Sequence, residues 1–143
     1  MKIPKVKFVS YFYRSDAGNL SNQKKHEPIQ ISIIGAGNVG MSCAFSILQK
    51  PNCCSELVLI DLDERKVKGE VLDLQNGAVF LSGVKIRGGT EYSLMHSSDI
   101  VIVTAGARKI AGESMENLIS KNVQNMRTIM CAISRMAPKS AWF

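Results

Sequence analysis

The sequence lacks any apolar run near the roughly 18 residues that a membrane-spanning helix needs. The aromatic cluster Phe8–Tyr13 is too short for a secretory core and is interrupted by the polar Ser10. Internal repeats and low-complexity segments are also missing. The 143 residues, 45% of them hydrophobic, suffice for a real core. We therefore expect at most one soluble globular domain without a membrane partner.

Cysteine is sparse and is not spaced for metal binding. The four cysteines are Cys43, Cys53, Cys54 and Cys131. They lack the paired spacing of a zinc site, and adjacent residues such as Cys53 and Cys54 are poor candidates for a mutual disulfide. We expect no bound metal, reduced thiols and a cytoplasmic location.

The net charge of +6 is concentrated near the N-terminus. Residues 1–30 hold six lysines and arginines against Asp16 and Glu27, whereas residues 31–143 hold twelve basic and ten acidic residues. The nearly balanced folded part gives no reason to expect a nucleic-acid partner. Residues 1–28 form an arm for which three interpretations remain open: a solvated tail, an arm that packs on a neighbouring subunit, or a targeting segment that implies a mitochondrial location.

A glycine-rich turn follows the first apolar strand. The stretch Ile29–Gly40 reads IQISIIGAGNVG, so Gly35, Gly37 and Gly40 stand at G-x-G-x-x-G spacing directly after a β-branched run. In this motif the first glycine permits a tight turn, the second lets the backbone approach a pyrophosphate, and the third lets the next helix pack closely. That helix points free N–H groups and its positive dipole end at the phosphates. The pattern predicts a dinucleotide site.

An acidic residue ends the second strand at the distance this motif requires. Glu56–Asp61 reads ELVLID, and Asp61 lies 21 positions after Gly40. A carboxylate there accepts the hydroxyls of an adenosine ribose and repels a 2′-phosphate, so NAD is favoured over NADP. The competing interpretation, that Asp61 caps the helix starting near Glu64, is weaker because Asp63 suits that role better.

The remaining elements predict an α/β fold, a doubly wound parallel sheet whose strands stand in the order third, second, first, fourth. Val67, Val71, Leu74 and Ala78 mark an amphipathic helix, Val84–Arg87 a third strand that Gly88 and Gly89 end, and Asp99–Thr104 a fourth strand. A long helix over Ser114–Arg135 places Ile119, Val123, Met126, Met130 and Ile133 on one stripe, which we assign to the core.

The winding reverses between the first and fourth strands, so the segment TAGAR is expected beside the glycine turn. Its backbone, including Thr104, Ala105 and Gly106, is predicted to line the cofactor path. Arg108 is predicted to lie over the pyrophosphate, and the alternative is a solvated loop cation.

Several motifs in fixed order resemble the N-terminal half of the L-lactate dehydrogenases, within the lactate/malate dehydrogenase family. They are GAGNVGMSCAFSIL, ELVLIDLDERKVKGEVLDLQNGAVFL, and SSDIVIVTAGAR followed by GES. The resemblance implies a Rossmann-type domain over 29–143, NAD as cofactor, a 2-hydroxy or 2-oxo acid substrate and a homo-oligomer in the complete enzyme. It also matches Asn38, Val39 and Asn122 to cofactor-side positions, beside the glycines, Asp61 and Arg108.

Two positions depart from the family pattern. The arginine that polarises the substrate carbonyl is replaced by Met115, whose thioether cannot stabilise a developing oxyanion. The position that reads the substrate side chain is Lys109, whose charge would favour a dicarboxylate, although an exposed structural lysine is an equal alternative.

The sequence supplies no candidate for the catalytic acid. The two histidines, His26 and His96, do not match the family's catalytic position, and we expect the substrate domain that carries it to be absent from this chain. We therefore expect no catalytic residue and no turnover by this chain alone, and a non-catalytic NAD-binding or subunit-binding module is the alternative function. The sheet, truncated after about four strands, is expected to leave the fourth strand at an edge.

Overall fold

The computed structural model describes residues 29–77, 83–137 and 141–142. The predicted arm over residues 1–28 and the helical position Ala78 lie outside the described residues. Everything that concerns the dinucleotide motif lies inside them.

The described residues form a parallel sheet of five strands in the order β3-β2-β1-β4-β5. The strands are β1 (Gln30–Ile34), β2 (Glu56–Ile60), β3 (Lys85–Gly89), β4 (Ile100–Val103) and β5 (Ala141–Trp142). Ile34 at the end of β1 is in register with Ile60 of β2 and with Val103 of β4. The carboxyl ends of the three central strands therefore meet at one edge, and the predicted order of the first four is confirmed.

In the described ranges the sheet is covered by the α-helices α1 (Asn38–Leu48), α2 (Glu64–Gly77) and α3 (Met115–Met136). A short 3-10 helix, Tyr92–Met95, precedes β4. Asp63 caps α2, since its Oδ1 accepts the Lys66 N–H at 3.1 Å, as predicted. No helix in the described part of the chain is long and apolar enough to cross a membrane.

Alternate residues of the strands build two cores, one on each face of the sheet. Ile33 and Leu59 belong to the core that α1 and α2 complete, with Ala44, Leu48, Val67 and Leu74 among its buried members. Val58 and Val101 belong to the other core, which Met95, Ile129 and Ile133 complete. Burial on both faces explains the nearly continuous apolar strands and confirms the doubly wound α/β fold.

The fourth strand is not an edge strand, which corrects the expectation from the sequence. Ile100 pairs with Ala141 and Val101 with Trp142, both in parallel register, so β5 covers part of β4. Parallel pairing satisfies backbone groups that would otherwise be exposed along the strand. The sequence missed β5 because two residues carry no periodic signal.

The third strand extends through the two glycines that were expected to end it. Gly88 lies in β3, and a Cβ at this position would stand 2.7 Å from both the Leu59 carbonyl oxygen and Val71 Cγ2. A glycine inside a strand commonly marks such a close approach. Gly88 therefore allows α2 to pack on β3 and does not interrupt the sheet.

The apolar stripe of α3 is core only in its C-terminal half, so the assignment of the whole stripe to the core was wrong. Ile133 is buried and Met130 is half-buried, but Ile119, Val123 and Met126 are 56%, 48% and 43% exposed. Periodicity identifies an apolar face without identifying how far the sheet extends beneath it.

A buried polar network at the amino end of β1 was also missed. Ser98 Oγ lies 2.6 Å from Ser32 Oγ and accepts from Gln30 Nε2 at 2.9 Å. Gln30 Nε2 also contacts the carbonyl oxygen of His96 at 3.4 Å. The network joins the segment before β4 to the sheet edge opposite the glycine turn, and its only sequence signal is a serine inside an apolar strand.

Candidate functional site

The glycine turn leaves β1 at the point where the strand order reverses. Gly35 has φ +106°, a backbone conformation that glycine adopts readily and other residues rarely do. A Cβ on Gly35 would lie 2.6 Å from the Ala105 nitrogen, so the segment after β4 closes directly against this residue. The structure therefore gives two reasons for glycine at position 35. One is the tight turn that the sequence predicts, and the other is the close contact with the backbone of Ala105.

Helix α1 begins immediately after the turn, and its first N–H groups have no acceptor among the residues that the structure describes. Gly37 is the N-cap and forms no side-chain cap, and the first turn of α1 contains no acidic residue. The first helical hydrogen bond runs from the Met41 N–H to the Gly37 carbonyl at 2.9 Å. Among the described residues, the N–H groups of Asn38, Val39 and Gly40 therefore remain available to an anion.

Gly37 and Gly40 have different reasons to be glycine. A Cβ on Gly37 would meet no atom within 4 Å, so the space above this residue is open. A Cβ on Gly40 would overlap the Gly35 carbonyl oxygen and lie 2.8 Å from Thr104 Oγ1. The packing of α1 on the turn thus requires glycine at position 40, whereas no contact among the described residues requires glycine at position 37. Open space at Gly37 is what a pyrophosphate lying close to the backbone needs.

Asp61 follows β2 and points its carboxylate at the turn. Its Oδ2 accepts the Ala36 N–H at 2.6 Å and its Oδ1 accepts the Asp63 N–H at 3.1 Å. A carboxylate has about four acceptor positions, so two backbone donors leave room for hydroxyl groups. The acid therefore lies beside the turn, as the spacing predicts.

The segment after β4 is fixed from both sides. Thr104 Oγ1 donates to the carbonyl oxygen of Gly35 at 2.8 Å. On the other side, Asn122 of α3 accepts the Ala107 N–H through Oδ1 at 2.7 Å, and its Nδ2 lies 3.4 Å from the Ala107 carbonyl. A Cβ on Gly106 would stand 3.7 Å from the same Oδ1. Thr104 and Asn122 thus hold the backbone of this segment against the turn and the helix.

Arg108 and Lys109 follow this fixed segment and are exposed. Within residues 29–77 and 83–137, neither side chain forms a hydrogen bond or an ion pair. Their guanidinium and ammonium groups are free to meet an anion near the carboxyl edge of the sheet.

The loop is anchored again just before α3. Glu113 binds Lys121 Nζ at 2.5 Å through one oxygen and the Ile110 N–H at 3.2 Å through the other. The hydrogen bond from Lys121, with that from Ile110, lowers the pKa of Glu113 below its ordinary value. Ser114 caps α3 by accepting the Asn117 N–H.

In the described part of the chain, Met115 and His96 form no hydrogen bond with the glycine turn. Met115 is the first residue of α3 and is 55% exposed. His96 is exposed and belongs to the segment before β4, at the amino edge of the sheet. His26 lies outside the described residues.

The sequence did not predict several contacts that fix the turn and the loop before α3. The Ala36 N–H and the Thr104 hydroxyl are both committed to the turn, whereas Thr104 was expected to contribute its backbone alone. The Glu113–Lys121 pair was also missed. These partners are 25, 69 and 8 positions apart, and the spacing of the residues gives no signal that the side chains meet in space.

A doubly wound parallel sheet, a glycine turn at its switch point, an uncapped helix N-terminus and an acid after the adjacent strand define a dinucleotide-binding domain of the Rossmann type. Comparison with known proteins agrees. The family model for the lactate/malate dehydrogenase NAD-binding domain matches residues 29–143.

The chain belongs to the lactate/malate dehydrogenase family, through its NAD-binding domain, and the cofactor of that domain is NAD. It is 46% identical over 120 residues to the L-lactate dehydrogenase C chain of Rattus norvegicus, covering 84% of this chain and 36% of the relative. It is 47% identical over 113 residues to the L-lactate dehydrogenase A chain of Gallus gallus, covering 79% and 34%. The chain therefore spans about a third of the length of these relatives.

Proposed function

We propose that this chain binds NAD at the carboxyl edge of the sheet and serves as the NAD-binding part of an L-lactate dehydrogenase-like oxidoreductase. The observation that carries the proposal is the uncapped N-terminus of α1, which lies at the switch point beside the Asp61 carboxylate. In the complete enzyme, the reaction would be hydride transfer between the cofactor and a 2-hydroxy or 2-oxo acid.

The proposed roles follow from the donors and acceptors of the site. The N–H groups of Asn38, Val39 and Gly40 would bind the pyrophosphate, and the open space at Gly37 would admit it. Arg108 would add charge from the opposite side, since its guanidinium has no partner within the described ranges.

Asp61 would select the cofactor. Its oxygens retain acceptor capacity for the hydroxyls of the adenosine ribose, and its negative charge opposes a 2′-phosphate. The backbone of Thr104, Ala105 and Gly106, held by the contacts of Thr104 and Asn122, would line the path towards the reacting ring. NAD, when bound, supplies the hydride acceptor or donor.

Lys109 would lie on the substrate side. Its exposed ammonium group favours a substrate with a second carboxylate, such as oxaloacetate, over one with a methyl group, such as pyruvate. If so, the NADH-loaded chain binds oxaloacetate more tightly than pyruvate, and Lys109→Gln removes the difference. Equal binding of the two acids by the wild type would overturn this assignment.

The proposal is tested by titrating the purified chain with NADH and following the nucleotide fluorescence. We expect saturable binding, weaker binding of NADPH, and a loss of about tenfold or more in NADH affinity on Asp61→Ala. Asp73→Ala is the control variant, since it also removes one carboxylate, from an exposed position of α2. Absence of binding at millimolar NADH would refute the cofactor role, and unchanged affinity of Asp61→Ala would refute the ribose assignment.

A further inference from the structure

The Gly35–Ala36 peptide is held on both sides by side chains that follow two different strands. Its carbonyl oxygen accepts the Thr104 hydroxyl at 2.8 Å, and its N–H donates to Asp61 Oδ2 at 2.6 Å. A trans peptide points its C=O and N–H in opposite directions, so the two contacts fix the orientation of the whole plane. Asp61 follows β2 and Thr104 follows β4, on opposite sides of β1.

This peptide orients everything that comes after it in the turn. Gly35 has φ +106° and its own N–H is bound to the Ile60 carbonyl at 2.7 Å. A glycine at positive φ has an unusually wide range of conformations, so the backbone by itself does not determine the direction in which α1 starts. The contacts on either side of the next peptide remove that freedom. The N–H of Ala36 is consumed by this contact, which leaves phosphate binding to the donors after Gly37.

We propose that Asp61 is a positioning residue for the pyrophosphate turn as well as the acceptor for the ribose, and that with Thr104 it clamps the Gly35–Ala36 peptide. The cofactor side of this inference rests on the proposed function, whereas the clamp itself does not. One carboxylate would thereby couple the ribose and phosphate subsites. Removing it to admit NADP would also loosen the turn that binds the pyrophosphate of either cofactor.

The clamp is tested without cofactor by amide hydrogen exchange at Ala36 in the full chain. A charge-assisted hydrogen bond is worth enough that Asp61→Ala should accelerate exchange at this amide by about tenfold or more. Asp61→Asn keeps an acceptor oxygen without the charge, so the exchange rate of the Ala36 amide in this variant should lie between the rates in wild type and in Asp61→Ala. Thr104→Val removes the hydroxyl at nearly constant volume and should also accelerate it.

Exchange at Ile33, inside β1, reports whether a variant has simply lost global stability. Asp73→Ala serves as the charge control, because Asp73 lies on α2 and, within residues 29–77 and 83–137, forms no hydrogen bond with the turn. If Asp61→Ala fails to fold, Asp61→Asn and Thr104→Val decide the question. An Ala36 rate that is unchanged in these variants, or that rises only in step with Ile33, would overturn the clamp.

The coupling is tested with NADH and an analogue that lacks both hydroxyls of the adenosine ribose, titrated into wild type, Asp61→Ala and Thr104→Val. If Asp61 acts on the ribose alone, its removal leaves the affinity for the analogue unchanged. If it also positions the turn, the affinity for the analogue falls several-fold, and Thr104→Val lowers both affinities by the same factor. Constant affinity for the analogue would overturn the coupling. Failure of the wild type to bind NADH would refute the proposed function and leave the exchange result standing.

Discussion

Replacing Gly37 with serine should stabilise the free protein and weaken cofactor binding. Gly37 is the N-cap of α1 with φ −81° and ψ −178°, extended backbone that serine adopts without strain, and a Cβ there meets nothing. Serine is a preferred N-cap, since its oxygen accepts one of the free N–H groups of the first turn. The same N–H groups are the ones that we assign to the pyrophosphate.

The two effects have opposite signs and separable magnitudes. A serine N-cap raises the free energy of unfolding by a few tenths of a kcal/mol relative to a glycine N-cap. Replacing glycine also lowers the conformational entropy of the unfolded chain, which adds about 0.4–1 kcal/mol to the free energy of unfolding. A total of about 1 kcal/mol raises the Tm by roughly 3–5 °C for a domain of this size. Losing one charge-assisted hydrogen bond to phosphate, about 2 kcal/mol, weakens NADH binding by roughly thirtyfold.

The assay combines thermal unfolding by circular dichroism with an NADH titration of the same samples. Gly40→Ala is the comparison, because its Cβ would overlap the Gly35 carbonyl oxygen. Overpacking of this kind costs about 1–3 kcal/mol or more, so stability and binding should fall together. A Gly37→Ser protein that binds NADH with wild-type affinity would refute the reasoning, since the open space would then have nothing to do with the cofactor.

Three further predictions concern the scaffold around the site. Asn122→Ala should lower the free energy of unfolding by about 1–2 kcal/mol and should also weaken NADH binding. Asn122→Asp keeps an oxygen that accepts the Ala107 N–H, so it should recover part of the stability and part of the affinity. Equal effects of the two variants would argue against a role for this hydrogen bond. Partial burial opposes ionisation of Glu56 and is the largest single influence on it, but the hydrogen bonds and positive charges of Arg87 and Lys85 together outweigh it, so the pKa of Glu56 lies below its ordinary value. Its contribution to stability is present above the ordinary carboxyl range and is lost as the pH falls through the lowered pKa. Denaturant unfolding should therefore show Glu56→Gln destabilised at pH 7 and converging with wild type as the pH falls through that lowered pKa; a constant difference would contradict this. Ile119→Ser should change the free energy of unfolding by less than about 0.5 kcal/mol, because Ile119 is 56% exposed. Ile133→Ala should lower it by about 2–5 kcal/mol, because Ile133 is buried. Similar losses in the two variants would mean that the N-terminal half of α3 is also packed.

Much of the fold could be predicted because its signals are local. The β-branched run before Gly35, the acid after β2 and the helical spacing of Val67 and Leu74 each occupy a short window and report a period or a turn. The order of the first four strands follows from such elements together with the general rules of α/β topology. The errors arose where the outcome depends on distant neighbours. Val123 is spaced like a core residue, but it lies where the sheet does not reach.

The sequence by itself determined that this chain carries a glycine turn, an acidic residue directly after the second strand and the elements of a doubly wound sheet, because each is encoded in residues close together along the chain. Only the tertiary structure decided what Thr104 and Asp61 do to the turn, since these side chains reach it from strands on either side of β1. Tertiary structure likewise separated Gly40, which packing requires, from Gly37, which the protein leaves open. The physical reason is that hydrogen-bond geometry and close packing depend on distances in space, which sequence separation does not measure.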